Sequence, residues 1–72
     1  MNFPAAQAAI ASVMIHGAIT HPANDWRNYP ATFHIARAVR YLELLAAGDQ
    51  SEPHLHHALC RLLMATELTS NA

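Results

Sequence analysis

Glycine and proline divide this chain into three stretches, each about as long as one helix. Pro4 opens the first, Gly17 to Pro30 forms a polar connector, and Gly48 to Pro53 makes a second, shorter break. Proline fixes φ near −65° and offers no N–H, so it suits a helix start. Glycine reaches left-handed backbone, so it suits a helix end. The first stretch, "AAQAAIASVMIH", is rich in alanine and strong in helix propensity. Nowhere do apolar and polar residues alternate as a half-buried strand requires. The expected fold is all-α. It is a single domain over residues 1–72, with helices at about 4–16, 30–47 and 52–68 and a connector at 17–29.

Periodicity assigns faces to these helices. In the second, Ala31, Ile35, Ala38, Val39, Leu42, Leu45 and Ala46 make one stripe, the expected core face. Phe33 and Leu44 lie elsewhere on the wheel, beside Arg37 and Arg40, and read as a subunit contact with Arg37 at its edge. In the third, Leu55, Ala58, Leu59, Leu62 and Thr66 should face the core, with Ser51 as N-cap. Trp26 is expected to plug the end of the bundle while the connector wraps over it.

A chain of 72 residues buries only about 60% of its unfolded surface and usually needs a staple or a partner. Cys60 is the single cysteine, so no internal disulfide forms, and a lone thiol fits a reducing compartment. The expectation is a small three-helix unit completed into a larger helical bundle by homo-oligomerisation. The cations are Arg27, Arg37, Arg40 and Arg61, with no lysine, and the net charge is −1. That balance argues against a nucleic-acid partner. No apolar run approaches the roughly 20 residues of a membrane span, and the start lacks a signal-peptide pattern. A cytoplasmic location and no membrane partner are expected.

The chemistry concentrates in "SEPHLHHALC", residues 51–60. At 100° per residue, His54, His57 and Arg61 share a flank, while His56 falls away toward Cys60 and Glu67. Histidines at i and i+3 can share a metal if Asp49 or Glu52 joins them from the preceding loop. The same acids also have an ordinary use, offsetting the helix macrodipole. Cys60 sits mid-helix among apolar neighbours, where a thiol is inert, and no nucleophile–base pair is visible. No catalytic residue can be named. With two glycines there is no phosphate-cradling loop, so phosphate recognition falls to arginines and helix N-termini.

Three segments in order, "HGAITHPANDWRNY", "ARAVRYLELLAAGD" and "HLHHALCRLLMATEL", resemble the phage-type family of dATP/dGTP diphosphohydrolase N-terminal domains, grouped with MazG-like enzymes. The matching positions are Gly17, Ala18, Trp26, Arg27, Arg40, Gly48, His54, Leu55, His57 and Ala58. Asp25 stands where the family has asparagine, Tyr41 where it has histidine, and Asp49 where it has glutamate. The acidic stretch before the last helix is shortened to Glu52, and the paired ExxE and ExxD motifs of MazG-like enzymes do not occur.

The resemblance implies a helical bundle that oligomerises and handles purine deoxynucleotides. Trp26 or Tyr29 would stack a base, while Arg27, Arg40 or Arg61 would pair with phosphates. Asp49, Glu52, His54 and His57 would hold Mg²⁺ or Mn²⁺. Turnover, if retained, would split a nucleoside triphosphate between its α and β phosphates with metal-activated water. The competing expectation is a non-enzymatic, phage-encoded module that binds a host protein, as anti-CRISPR inhibitors do. Its anchors would be Trp26, Phe33 and Leu44.

Overall fold

A computed structural model describes residues 2–22 and 24–70, which form three α-helices and one 3-10 turn. α1 spans Pro4–Thr20, the 3-10 turn Asp25–Asn28, α2 Ala31–Ala46 and α3 His54–Thr69. The described residues contain no strand, as the patterning required.

The helix ends differ from the sequence reading in instructive ways. α1 runs through Gly17 to Thr20, because one glycine costs a helix only about 1 kcal/mol against alanine. The stop comes instead from Pro22, whose ring drives the preceding His21 into extended backbone at φ −132°, ψ 151°. The connector is shortened accordingly and turns through Asn24, held left-handed at φ 61°. Asparagine tolerates that region better than most residues. α2 ends as expected, on Gly48 at φ 89°. There the Asp49 N–H donates to the Leu44 carbonyl at 3.1 Å and the Gly48 N–H to Leu45 at 3.0 Å. This is a Schellman closure, which satisfies carbonyls the helix leaves open. Ser51 is not the cap of α3. Pro53 takes the N-cap place, and the Ser51 hydroxyl donates to the Asp49 carboxylate at 2.8 Å.

α2 and α3 form an antiparallel hairpin. His34 meets Arg61 at one end, while Tyr41 meets His54 and His57 at the other. The contact between them is made by small residues and histidines: Ala38, Ala58 and Ala65 are buried, with His34 and His54 wholly out of water. This corrects the expected core faces. Of the α2 stripe only Ala38 is buried, while Ile35, Val39, Leu42 and Leu45 are exposed. On α3 the same holds for Leu55 and Leu62. The reason is closeness. Alanines let the helix backbones approach, and the inward seam of α2 is therefore the buried His34 and Ala38 with the half-buried Tyr41, one residue before Ile35, Val39 and Leu42 of the large-residue stripe.

α1 packs against α3 and stands away from α2. Cys60 is the anchor, buried with its Sγ 4.0 Å from the Ile10 carbonyl. No residue of α1 is fully buried, and none of the described helices is long and apolar enough to cross a membrane.

Candidate functional site: an arginine in an aromatic cleft

Because α1 leaves α2 uncovered on one side, a cleft of about 1090 Å³ opens between α1, the 3-10 turn and the hairpin. Its hairpin wall is Phe33, Arg37, Tyr41, His57 and Arg61, and its other wall includes Trp26, Tyr29, Met14 and His16. The placement follows from register. Phe33 and Arg37 each precede a buried α2 residue, as Pro53, His57, Cys60 and Met64 each precede an inward-turned α3 residue. In an antiparallel pair, those preceding positions turn to the same side.

Arg61 is the central charge. Its Nη1 donates to His34 Nδ1 at 3.1 Å, and His34 Nε2–H donates to the Trp26 carbonyl at 2.8 Å. The two contacts select the tautomer with its proton on Nε2, leaving Nδ1 to accept from the guanidinium. Phe33 lies against the same guanidinium, 5.7 Å from ring centroid to Cζ, and Arg37 approaches that ring at 5.8 Å. Among the described residues the one ion pair is His54 with Asp49, so no carboxylate pairs directly with Arg61 or Arg37, although Asp25 and Glu52 also line the cleft. A half-buried arginine oriented by His34 leaves spare N–H donors for something else.

The aromatic residues are ordered around it. Tyr29 stacks on Phe33 at 4.7 Å with 22° between planes, and both meet His34 edge-on. Arg27 lies over Trp26 at 4.4 Å. Of the five residues expected to bind nucleotide, Trp26, Tyr29 and Arg61 thus line the cleft. Arg27 backs Trp26 from outside it, and Arg40 is exposed on α2 beyond the cleft wall. Phe33 and Arg37, expected at a subunit contact, are cleft residues within one chain, and Leu44 is half-buried. Sequence reasoning missed Phe33, Arg37 and Tyr41 as site residues. Knowing which face of α2 was buried would have found them.

The proposed metal ligands are not brought together. Asp49 and His54 meet, with His54 Nε2 donating to the carboxylate at 2.5 Å, and the Ser51 hydroxyl shares the same oxygen. The hydrogen bond from His54 holds the Asp49 carboxyl below its ordinary value, with Ser51 adding to the effect. Glu52 and His57 line the cleft instead. Among the described residues no three His, Cys, Asp or Glu side chains form a group that could hold a metal ion. The flank of His54, His57 and Arg61 is real, but it faces α2, and Tyr41 lies against both histidines. His56 is exposed. Burial pushes the Cys60 thiol up, in keeping with a packing role.

A sequence model of one protein family, described as dATP/dGTP diphosphohydrolase, N-terminal, matches residues 1–72, the whole chain. Neither the curated proteins nor the solved structures yield a significant match.

Proposed function

Because the chain belongs to the dATP/dGTP diphosphohydrolase N-terminal family, we propose that it binds a purine deoxynucleoside triphosphate in the cleft between α1 and the hairpin. The observation that carries this reading is Arg61, charged, half-buried and oriented by His34, in an aromatic cleft with no carboxylate partner. A triphosphate supplies the missing anion, which a guanidinium holds through paired N–H donors, and Arg37 adds a second positive charge beside it. Trp26, Tyr29 and Phe33 offer the faces on which a purine stacks.

The reading is one of binding. Hydrolysis in MazG-like enzymes requires clustered carboxylates, and the described residues assemble no group of three ligating side chains. A divalent cation would enter as the counterion of the triphosphate. Mg²⁺ commonly binds in this way, keeping several of its waters. A role as an inhibitor of a host protein would need Trp26 and Phe33 on an outward surface. Phe33 is exposed and Trp26 half-buried, both at the cleft, and the nucleotide reading is preferred because it also uses Arg61 and Arg37 beside them.

Calorimetric titration with dATP and dGTP, with and without Mg²⁺, tests the proposal. Binding is expected, with Arg61→Gln weakening it roughly 10- to 100-fold, as the loss of one charged hydrogen-bonding group does. Trp26→Ala should weaken it too. No heat with either nucleotide would sink the reading.

A further inference from the structure

Two carboxylates line the cleft without serving its arginines, and they differ in setting. Glu52 is exposed, in the loop before α3, beside Pro53 and near His57 in the chain. Asp25 is half-buried and opens the 3-10 turn, so it adjoins Trp26. Its Oδ1 accepts from Asn28 Nδ2 at 3.3 Å, which ties the carboxyl to the turn, and no described residue donates to Oδ2. No described cation pairs with it either. A half-buried carboxylate in this state gains when a ligand brings hydrogen-bond donors to it.

The surroundings decide which part of a nucleotide that is. Arg61 and Arg37 stand on the hairpin wall, and Asp25 stands with Trp26 on the other. A triphosphate goes to the guanidinium groups and is repelled by the carboxylate, so the base edge is left for Asp25. Arg27 covers one face of Trp26 at 4.4 Å, which leaves the opposite face for stacking. A base stacked there brings its edge to the neighbouring residue of the turn.

We propose that Asp25 reads this edge and makes the cleft select guanine over adenine, an assignment that rests on the nucleotide reading above. Guanine carries two adjacent donors, N1–H and the N2 amino group. A carboxylate is an acceptor-only fork and takes both at once. Adenine offers the carboxylate one donor, its N6 amino group, and sets the lone pair of N1 against it. An asparagine in the same place would hold one acceptor and one donor, and turning its amide over would suit either purine. Asp25 is therefore a specificity-determining residue, while Arg61 and Arg37 treat both nucleotides alike.

Calorimetric titration of the 72-residue chain with dGTP, dATP and dITP, each with Mg²⁺, tests the assignment. dITP differs from dGTP only in lacking the N2 amino group. The expected order is dGTP, dITP, dATP, with dGTP bound roughly 10- to 100-fold more tightly than dATP. Asp25→Asn should weaken dGTP and abolish the preference, and Glu52→Gln should leave it unchanged. Equal binding of dGTP and dATP by the unaltered chain, or a preference that survives Asp25→Asn, would overturn the assignment and leave the nucleotide reading standing. Equal weakening of all three nucleotides by Asp25→Asn would also overturn it, since that marks a contact to the cation or the phosphates. Where Asp25→Asn fails to fold, the unaltered chain still decides, because dITP bound as tightly as dGTP excludes the paired contact. No binding of any nucleotide would overturn both readings.

Discussion

His34 and His54 are the largest side chains wholly out of water, and each is held by a different partner. His34 bridges the Trp26 carbonyl to Arg61, so it couples the 3-10 turn to α3. Replacing it with leucine would keep the volume but remove both contacts. Arg61 would lose its orientation, and nucleotide affinity should fall while the chain stays folded, a combination that titration with circular dichroism would read. His54 is held by Asp49, whose carboxyl lies below its ordinary value of 3.8 because His54 and Ser51 hydrogen-bond to it. A carboxyl depressed on folding adds stability above its unfolded value and loses it as pH falls through the lower folded one. Asp49→Asn should therefore lower Tm near neutrality, with the gap to the parent chain closing below roughly pH 4. Cys60 makes the converse case. Burial raises its thiol, so a disulfide reagent at mildly alkaline pH should label it slowly in the folded chain and quickly in urea. The sequence exposed both the inertness of Cys60 and the shared flank of His54, His57 and Arg61. It did not show that His34 is buried, since an imidazole among alanines has no signature until the opposing helix is placed.

The two glycines show how much of each element was legible. Gly48 was readable as the stop of α2, and its φ of 89° lies where side chains are rarely tolerated. Gly48→Ala should cost about 1 kcal/mol through the left-handed backbone. Gly17 has the same appearance in the sequence and the opposite role. It lies inside α1, its φ is not positive, and an added Cβ meets nothing within 4 Å. Gly17→Ala should stabilise by about 0.4–1 kcal/mol, since the helix accepts alanine and the unfolded chain loses freedom. Urea denaturation of the two variants should shift the midpoint in opposite directions. The stop of α1 was misplaced because Pro22, five residues later, terminates the helix more strongly than a glycine.

At the scale of the whole molecule, the cleft and the exposed large-residue stripe lie on different sides of one hairpin, separated by a seam of alanines and histidines. Nucleotide bound in the cleft should stabilise the fold, so saturating dATP should raise Tm. The gain is about 2.7 kcal/mol when ligand stands at a hundred times Kd. Trp26, the single tryptophan, lines the cleft, so its fluorescence should report the same titration. Local chemistry alone determined the all-α class, three helices and the closure of α2 on Gly48. Propensity, proline and glycine act within a few residues and need no partner helix. Only the tertiary structure decided which way the helices turn. The large-residue stripes of α2 and α3 looked like a core because a helical wheel shows where apolar residues gather, not what they gather against. Alanines close the hairpin one residue earlier, and that rotation puts Phe33, Arg37 and Arg61 into one cleft. It leaves the leucines facing outward.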